Sequence, residues 1–292
     1  MTACTDIKKW IGFTQEESTP ETLRDVQVSS IGTDTFPETD GSVETSPFTE
    51  DETAPSTEMG ETAPSIEKLL QTALLPVGST MYVWGGGWNE EDTGAGVGAT
   101  TIGLYPQWAF FAGQQDENYV AREHRYEILN GLDCSGYIGW LVYNLFEQES
   151  GKEGYVFKST ETAKHYSELG WGAYLENPEE FVAGDIVSMK GHVWLCLGMC
   201  QDGSAVLLHA SPPGVSLCGT LTEDGQESSA SELAGKYMEE YYPDWQAKYP
   251  NRGVRDSYLS EVTVMRWSGD VLPDAVQWQA LTAQEVLERL FE

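Results

Sequence analysis

The chain has 292 residues with 47 acidic against 16 basic side chains and a formal net charge of −31, so it lacks the clustered cations that would neutralise a phosphate backbone, and nucleic acid is excluded as a partner. Its apolar residues form no run near the ~18 that a membrane span requires, and its first residues show no signal with a charged start and an apolar core. The length suits one good-sized domain with a tail, or two small domains.

The first feature in chain order is Met1-Thr2-Ala3-Cys4, small residues leading into a cysteine and then a long polar stretch. This is similar to the end of a bacterial lipoprotein signal. On that reading Cys4 carries a lipid and the protein is anchored to a membrane without spanning it; the alternative is an incidental exposed cysteine. Residues 14–64 are rich in Thr, Ser, Pro, Glu and Asp and poor in aromatics, with a loose repeat at Thr53-Ala54-Pro55-Ser56 and Thr62-Ala63-Pro64-Ser65. Such a segment cannot bury enough apolar surface to offset its ordering entropy. Residues 1–64 are therefore expected to be a disordered acidic spacer, and residues 65–292 a folded domain.

That domain opens with a helix-start signal at Pro64-Ser65 and an amphipathic stripe of Ile66, Leu69, Leu70, Ala73 and Leu74, which stops before Pro76. Gly85-Gly86-Gly87 gives the backbone freedom for tight turns, but no Gly-Lys-Ser/Thr follows it, so it is not a phosphate loop. Gly94-Ala95-Gly96-Val97-Gly98 fails the dinucleotide fingerprint on spacing. Residues 88–132 carry Trp88, Tyr105, Trp108, Phe110 and Phe111, then Arg122, His124 and Arg125. A small basic cluster in so acidic a chain has two readings. Arg122 and Arg125 grip carboxylates of a ligand while the aromatics wall a cleft, or the aromatics pack among themselves and the arginines pair with Glu123 and Glu127. His124 and His165 read as structural or exposed.

Leu132-Asp133-Cys134-Ser135-Gly136 starts a second helix, with Ile138, Leu141, Val142 and Leu145 at helical spacing and Trp140, Tyr143 and Phe146 widening the stripe. Asp133 suits the cap, placing Cys134 in the first turn, where unpaired N–H groups and the helix dipole favour a thiolate. The competing reading is a small buried cysteine that packs a core helix. Further along, Gly184–Met189 reads as a turn and a strand, Gly191–Gly198 as a strand with His192 at its start, and Ala205–Ala210, after a turn at Asp202-Gly203, as a strand that ends on His209. Adjacent antiparallel strands of this kind set two imidazoles side by side beneath a helix N-terminus. His192 would accept the thiol proton, and His209 would hydrogen-bond its far ring nitrogen and fix the tautomer.

The remaining elements are a short helix over residues 160–169, a short strand over 215–217, a helix from the capping-box spacing of Ser229 and Glu232 through Tyr237, a closing strand over 261–267, and a terminal helix from the capping box Thr282…Glu285 that carries Val286, Leu287, Leu290 and Phe291. Tyr241, Tyr242, Trp245 and Tyr249 either cover a cleft or pack. The five cysteines make no metal-ligand pattern, and Cys196, Cys200 and Cys218 permit one disulfide without requiring it.

Tyr82-Val83-Trp84-Gly85-Gly86, Asp133-Cys134-Ser135-Gly136, Gly191-His192-Val193 and His209-Ala210 together resemble, in that order, the NlpC family of bacterial cell-wall cysteine peptidases, over about half of the chain. The resemblance implies an α+β, papain-like domain whose antiparallel sheet packs against the nucleophile helix, with two long insertions at residues 88–132 and 220–256. It implies a catalytic set of Cys134, His192 and His209 and hydrolysis of peptidoglycan stem peptides or muropeptides, at the bond following γ-D-glutamate, with no cofactor and no metal. In members that require a free amine, the positions of Tyr82, Asp133 and Ser135 hold the stem's N-terminal end, although for Asp133 and Ser135 plain helix capping is the alternative. Trp84, Arg122 and Arg125 complete the candidate substrate contacts. The expected protein is a monomer, extracellular or at the cell surface, that meets a membrane only through a lipid on Cys4. Two alternatives stand beside it: a thiol amidase or acyltransferase of the same superfamily, and a catalytically silent surface-binding lipoprotein whose insertions block the cleft.

Overall fold

The computed structural model describes residues 63–292, so the expected spacer, but for its last two residues, and Cys4 lie outside the described residues. Among those described, eight helices surround one nine-stranded sheet. The first helix, α1 (Ile66–Leu74), is capped by Ser65, whose Oγ accepts the Lys68 N–H at 3.0 Å, and it buries the expected stripe. After β1 (Met81–Tyr82) come α2 (Pro106–Gly113), a 3-10 turn (Ala121–His124), β2 (Gly131–Leu132) and the nucleophile helix α3 (Cys134–Phe146). Next are α4 (Thr162–Glu168), β3 (Gly172–Glu176), β4 (Ile186–Met189), β5 (His192–Met199), β6 (Ala205–Ser211) and β7 (Gly214–Thr220). The chain ends with α5 (Ser229–Tyr241), α6 (Pro243–Lys248), β8 (Gly253–Val254), a 3-10 turn (Asp256–Leu259), β9 (Thr263–Trp267), α7 (Ala275–Gln279) and α8 (Ala283–Phe291). No helix among the described residues is long and apolar enough to cross a membrane.

The strands lie in the order β2-β1-β7-β6-β5-β4-β9-β3, with β8 added beside β7. Most pairs are antiparallel, but β1 with β2 and β7 with β8 run parallel, so the sheet is mixed where a wholly antiparallel one was expected. The parallel pairs arise because long crossovers, and not hairpins, join their strands. Side-chain alternation divides the core. Val193, Leu195, Leu197, Leu208 and Leu217 face α1 and α3, while Val187, Trp194, Cys196, Leu207 and Cys218 face a smaller cluster with Phe181, Val262 and Val264. Helix α3 is buried from Cys134 through Leu145, which accounts for its apolar residues lying all round instead of in one stripe.

Two local expectations are corrected. The cap of α5 is Ser228, with Ser231 as its reciprocal partner, one residue ahead of the expected Ser229 and Glu232. The strand taken as closing, β9, is internal, because β3 pairs outside it; β3 has no buried residue and so offers no two-residue period to read. The aromatic stretch after α5 packs: Tyr241 lies 4.4 Å from the Phe291 ring, and the Trp245 and Tyr249 rings are 4.9 Å apart. The four described cysteines are free thiols.

Candidate active site

Asp133 fixes the entrance of α3. One carboxylate oxygen accepts the Gly136 N–H at 2.7 Å and the Ser135 hydroxyl at 2.9 Å, and the other accepts the Gly85 N–H at 3.2 Å. The glycine run is needed for this approach: Gly87 has φ +89°, and a Cβ there would meet Gly136 Cα at 2.6 Å. Cys134 therefore sits in the first helical turn with only 7% of its surface exposed, and the backbone N–H groups of Val193 and Ser135 reach its sulfur.

The two histidines meet as their strand positions suggest. His192 Nε2 lies 3.0 Å from His209 Nδ1, with the ring planes at 81°. Both belong by alternation to the face of Trp194 and Leu207, opposite the face that α3 covers. The group nevertheless borders the helix entrance: the N–H of Val193, next to His192, reaches the Cys134 sulfur, and Tyr258, packed on both imidazoles, is close enough to Cys134 to be shifted by it. The β5–β6 pairing runs from Met199↔Ala205 to Leu195↔Leu208 and does not extend to His192, so the strands part and leave Val193 N–H free for Cys134. With Nε2 engaged by His209, Nδ1 is the His192 nitrogen left to accept a proton. A third aromatic completes the group: Tyr258, on the 3-10 turn, lies 5.4 Å from the His192 ring and 5.9 Å from the His209 ring. Sequence reasoning missed it, because a lone tyrosine on an irregular turn carries no period and no motif.

Burial sets the charges. It pushes the Cys134 thiol up to about 12, with Asp133 adding to the shift, and pushes His192 down to about 4. His209 is held well below its ordinary value by burial, then by His192 and by Arg252. Arg252 is 5% exposed and has no carboxylate partner among the described residues. The pair therefore rests as neutral thiol and neutral imidazole. The N–H groups at the helix start favour the anion, as expected of a thiolate, and desolvation opposes them.

The remaining candidates divide. Tyr82 is half-buried, and its hydroxyl is held up by burial, Cys134 and Asp133 and lowered by Arg125, so it lies among them. Asp133 and Ser135 turn inward, and the Ser135 hydroxyl also accepts the Trp88 indole N–H at 3.1 Å. Trp84 is 48% exposed, and the Arg125 guanidinium stacks over it at 5.1 Å and over Tyr126 at 5.7 Å. The alternative of arginine–glutamate pairing is not found: Glu127 pairs with His124 at 3.0 Å, and neither Arg122 nor Arg125 has an ion-pair partner among the described residues. Arg122 is exposed on its 3-10 turn and is not brought into the cysteine–histidine group by any contact. No protein-family model, curated protein or solved structure matches the chain.

Proposed function

We propose that the chain is a cysteine peptidase of the NlpC kind, built on a papain-like domain, that hydrolyses amide bonds in peptidoglycan stem peptides. The observation that carries this reading is the 3.0 Å bond from His192 Nε2 to His209 Nδ1 beside a capped, N-terminal cysteine. As Cys134 attacks the substrate carbonyl, His192 Nδ1 takes the thiol proton, and the imidazolium is steadied by its Nε2–H bond to neutral His209. The proton then passes to the leaving amine as the C–N bond breaks, and a water activated by His192 releases the acyl group. Because thiol and imidazole both rest neutral, proton transfer accompanies C–S bond formation and does not precede it. An amidase or acyltransferase would use the same groups and differ only in leaving group or acyl acceptor. Action on wall peptides agrees with a surface location, with Cys4 as lipid anchor.

One observation favours the silent binder as a second reading: a 7% exposed cysteine whose thiol is pushed up to about 12. Incubating the full chain with linear, branched and cross-linked muropeptides separates the two by mass spectrometry. Cleavage by the parent, abolished in Cys134→Ala and reduced at least about 100-fold in His192→Ala, is the expected result. Intact substrates throughout would sink the hydrolase in favour of the binder.

A further inference from the structure

From Asn251 to Ser260 the chain runs through β8 and the second 3-10 turn, and Arg252 is the only residue of that stretch that is buried. Val254 and Leu259 stay half-buried while the arginine turns in, at 5% exposure. That inverts the usual preference, since an arginine is enclosed almost only when it is paired. Its Nη2 donates to the Tyr249 carbonyl, and its own backbone carbonyl accepts the Gly219 N–H at 2.9 Å, which holds it against β7. Its Nε and Nη1 meet no acceptor among the described residues, and no carboxylate there forms an ion pair with it.

The sheet register gathers more polar groups on that side. Strands β6 and β7 pair His209 with Ser216 and Leu207 with Cys218, so by alternation the serine and the cysteine share the face of His209. Ser216 is 4% exposed, and its hydroxyl also lacks a partner among the described residues. The Arg252 charge acts on both His209 and the Cys218 thiol, so the guanidinium lies within electrostatic reach of each. Cys218 does not provide a counter-charge: burial outweighs Arg252 and holds the thiol up at about 11, so it is neutral near pH 7. Burial likewise holds the Tyr258 hydroxyl up at about 12. A guanidinium keeps its proton near neutrality, and a water would engage its N–H groups but leave the charge uncompensated. An anion does both. The net charge of −31 does not forbid one, because exposed carboxylates are screened beyond about 8 Å at physiological salt whereas a desolvated cation acts at contact.

We propose that Arg252 and Ser216 form a binding site for one small monovalent anion beside His209. With both side chains at 5% exposure or less, the site is closed to a carboxylate carried on a larger molecule. Strand β8 is only two residues long, so brief opening of this edge admits a free ion. The bound anion cancels the repulsion that Arg252 exerts on His209 and leaves burial, the larger cause, to keep that imidazole neutral. The inference does not depend on which reaction Cys134 performs.

Thermal unfolding of the full chain tests it, with chloride replacing the bulkier gluconate from about 5 to about 500 mM at constant sodium and ionic strength. The parent's midpoint should climb by about 3 °C or more for each tenfold rise in chloride above its dissociation constant. Arg252→Met, which keeps an unbranched stem and removes the charge, should abolish that climb. Ser216→Ala should displace it to chloride at least about tenfold higher, and it carries the test alone if the methionine variant does not fold. Equal chloride dependence in parent and variants would overturn the proposal. Crystals of the parent grown in bromide give a reading without variants. An anomalous peak within hydrogen-bond reach of Arg252 and Ser216 is expected; a water there, or bromide at other positions only, would overturn the site.

Discussion

A bond between two imidazoles fixes the direction of proton flow only if one of them stays neutral. His209 is fully enclosed, and Arg252 adds a positive charge nearby, so His209 stays neutral, and once His192 carries a proton on both nitrogens His209 Nδ1 must accept its Nε2–H. His209→Asn keeps an acceptor near the Nδ1 position, whereas His209→Ala leaves the His192 Nε2–H without one. Stem-peptide kcat/KM should fall at least about tenfold further in the alanine variant than in the asparagine variant. Equal losses would show that His209 only fills space. The acid limb of the parent's pH profile belongs to His192. Its conjugate acid is disfavoured by burial down to about 4, so the base form persists, and activity should drop only as the pH falls through about 4, well below the ordinary histidine range. A midpoint near 6.5 would place the working histidine in water and contradict the enclosure.

At the scale of elements, Asp133 joins two pieces of chain, as cap of α3 and as anchor for Gly85 at the end of the β1 turn. Asp133→Ala removes the cap, at about 1 kcal/mol, and strands a buried Gly85 N–H, at about 1–3 kcal/mol, so urea unfolding should show a loss of about 2–4 kcal/mol. Asp133→Asn retains one acceptor oxygen and should lose less than half of that. Equal losses would mean that the Gly85 bond contributes nothing. This junction also marks what the sequence made legible. Asp133, Cys134, His192 and His209 could be read because a cap, a helical period, a strand start and a strand end are local signals. Trp88 on Ser135, Tyr258 over the histidines and Arg125 between Trp84 and Tyr126 could not, since each contact depends on how irregular loops close over long separations. The inward turn of Ser135 was open for the same reason: its partner lies 47 positions away in the insertion.

The whole molecule links this site to stability through protons that the native state refuses. Histidines in the unfolded chain begin to bind protons near pH 6.5, whereas His192 in the native state resists until about 4 and His209 resists further still. For groups whose native pKa is depressed in this way, the unfolded state is stabilised as the pH falls below 6.5. Each histidine then costs up to about 1.4 kcal/mol of folding stability per pH unit until its native form is protonated. Buried Asp133 and Asp185 act in the opposite sense, because their raised pKa values let the native state take protons more readily than the unfolded chain. A single pH curve therefore mixes both, and a difference isolates the histidine. The unfolding free energy of His209→Asn, followed from pH 7.5 to 5 beside the parent, should start lower for want of native packing but decline less steeply below pH 6.5, by about 1 kcal/mol per unit. Parallel curves would show that His209 is solvated enough to titrate in the native state, which would also free it from the acceptor role that the cysteine site requires.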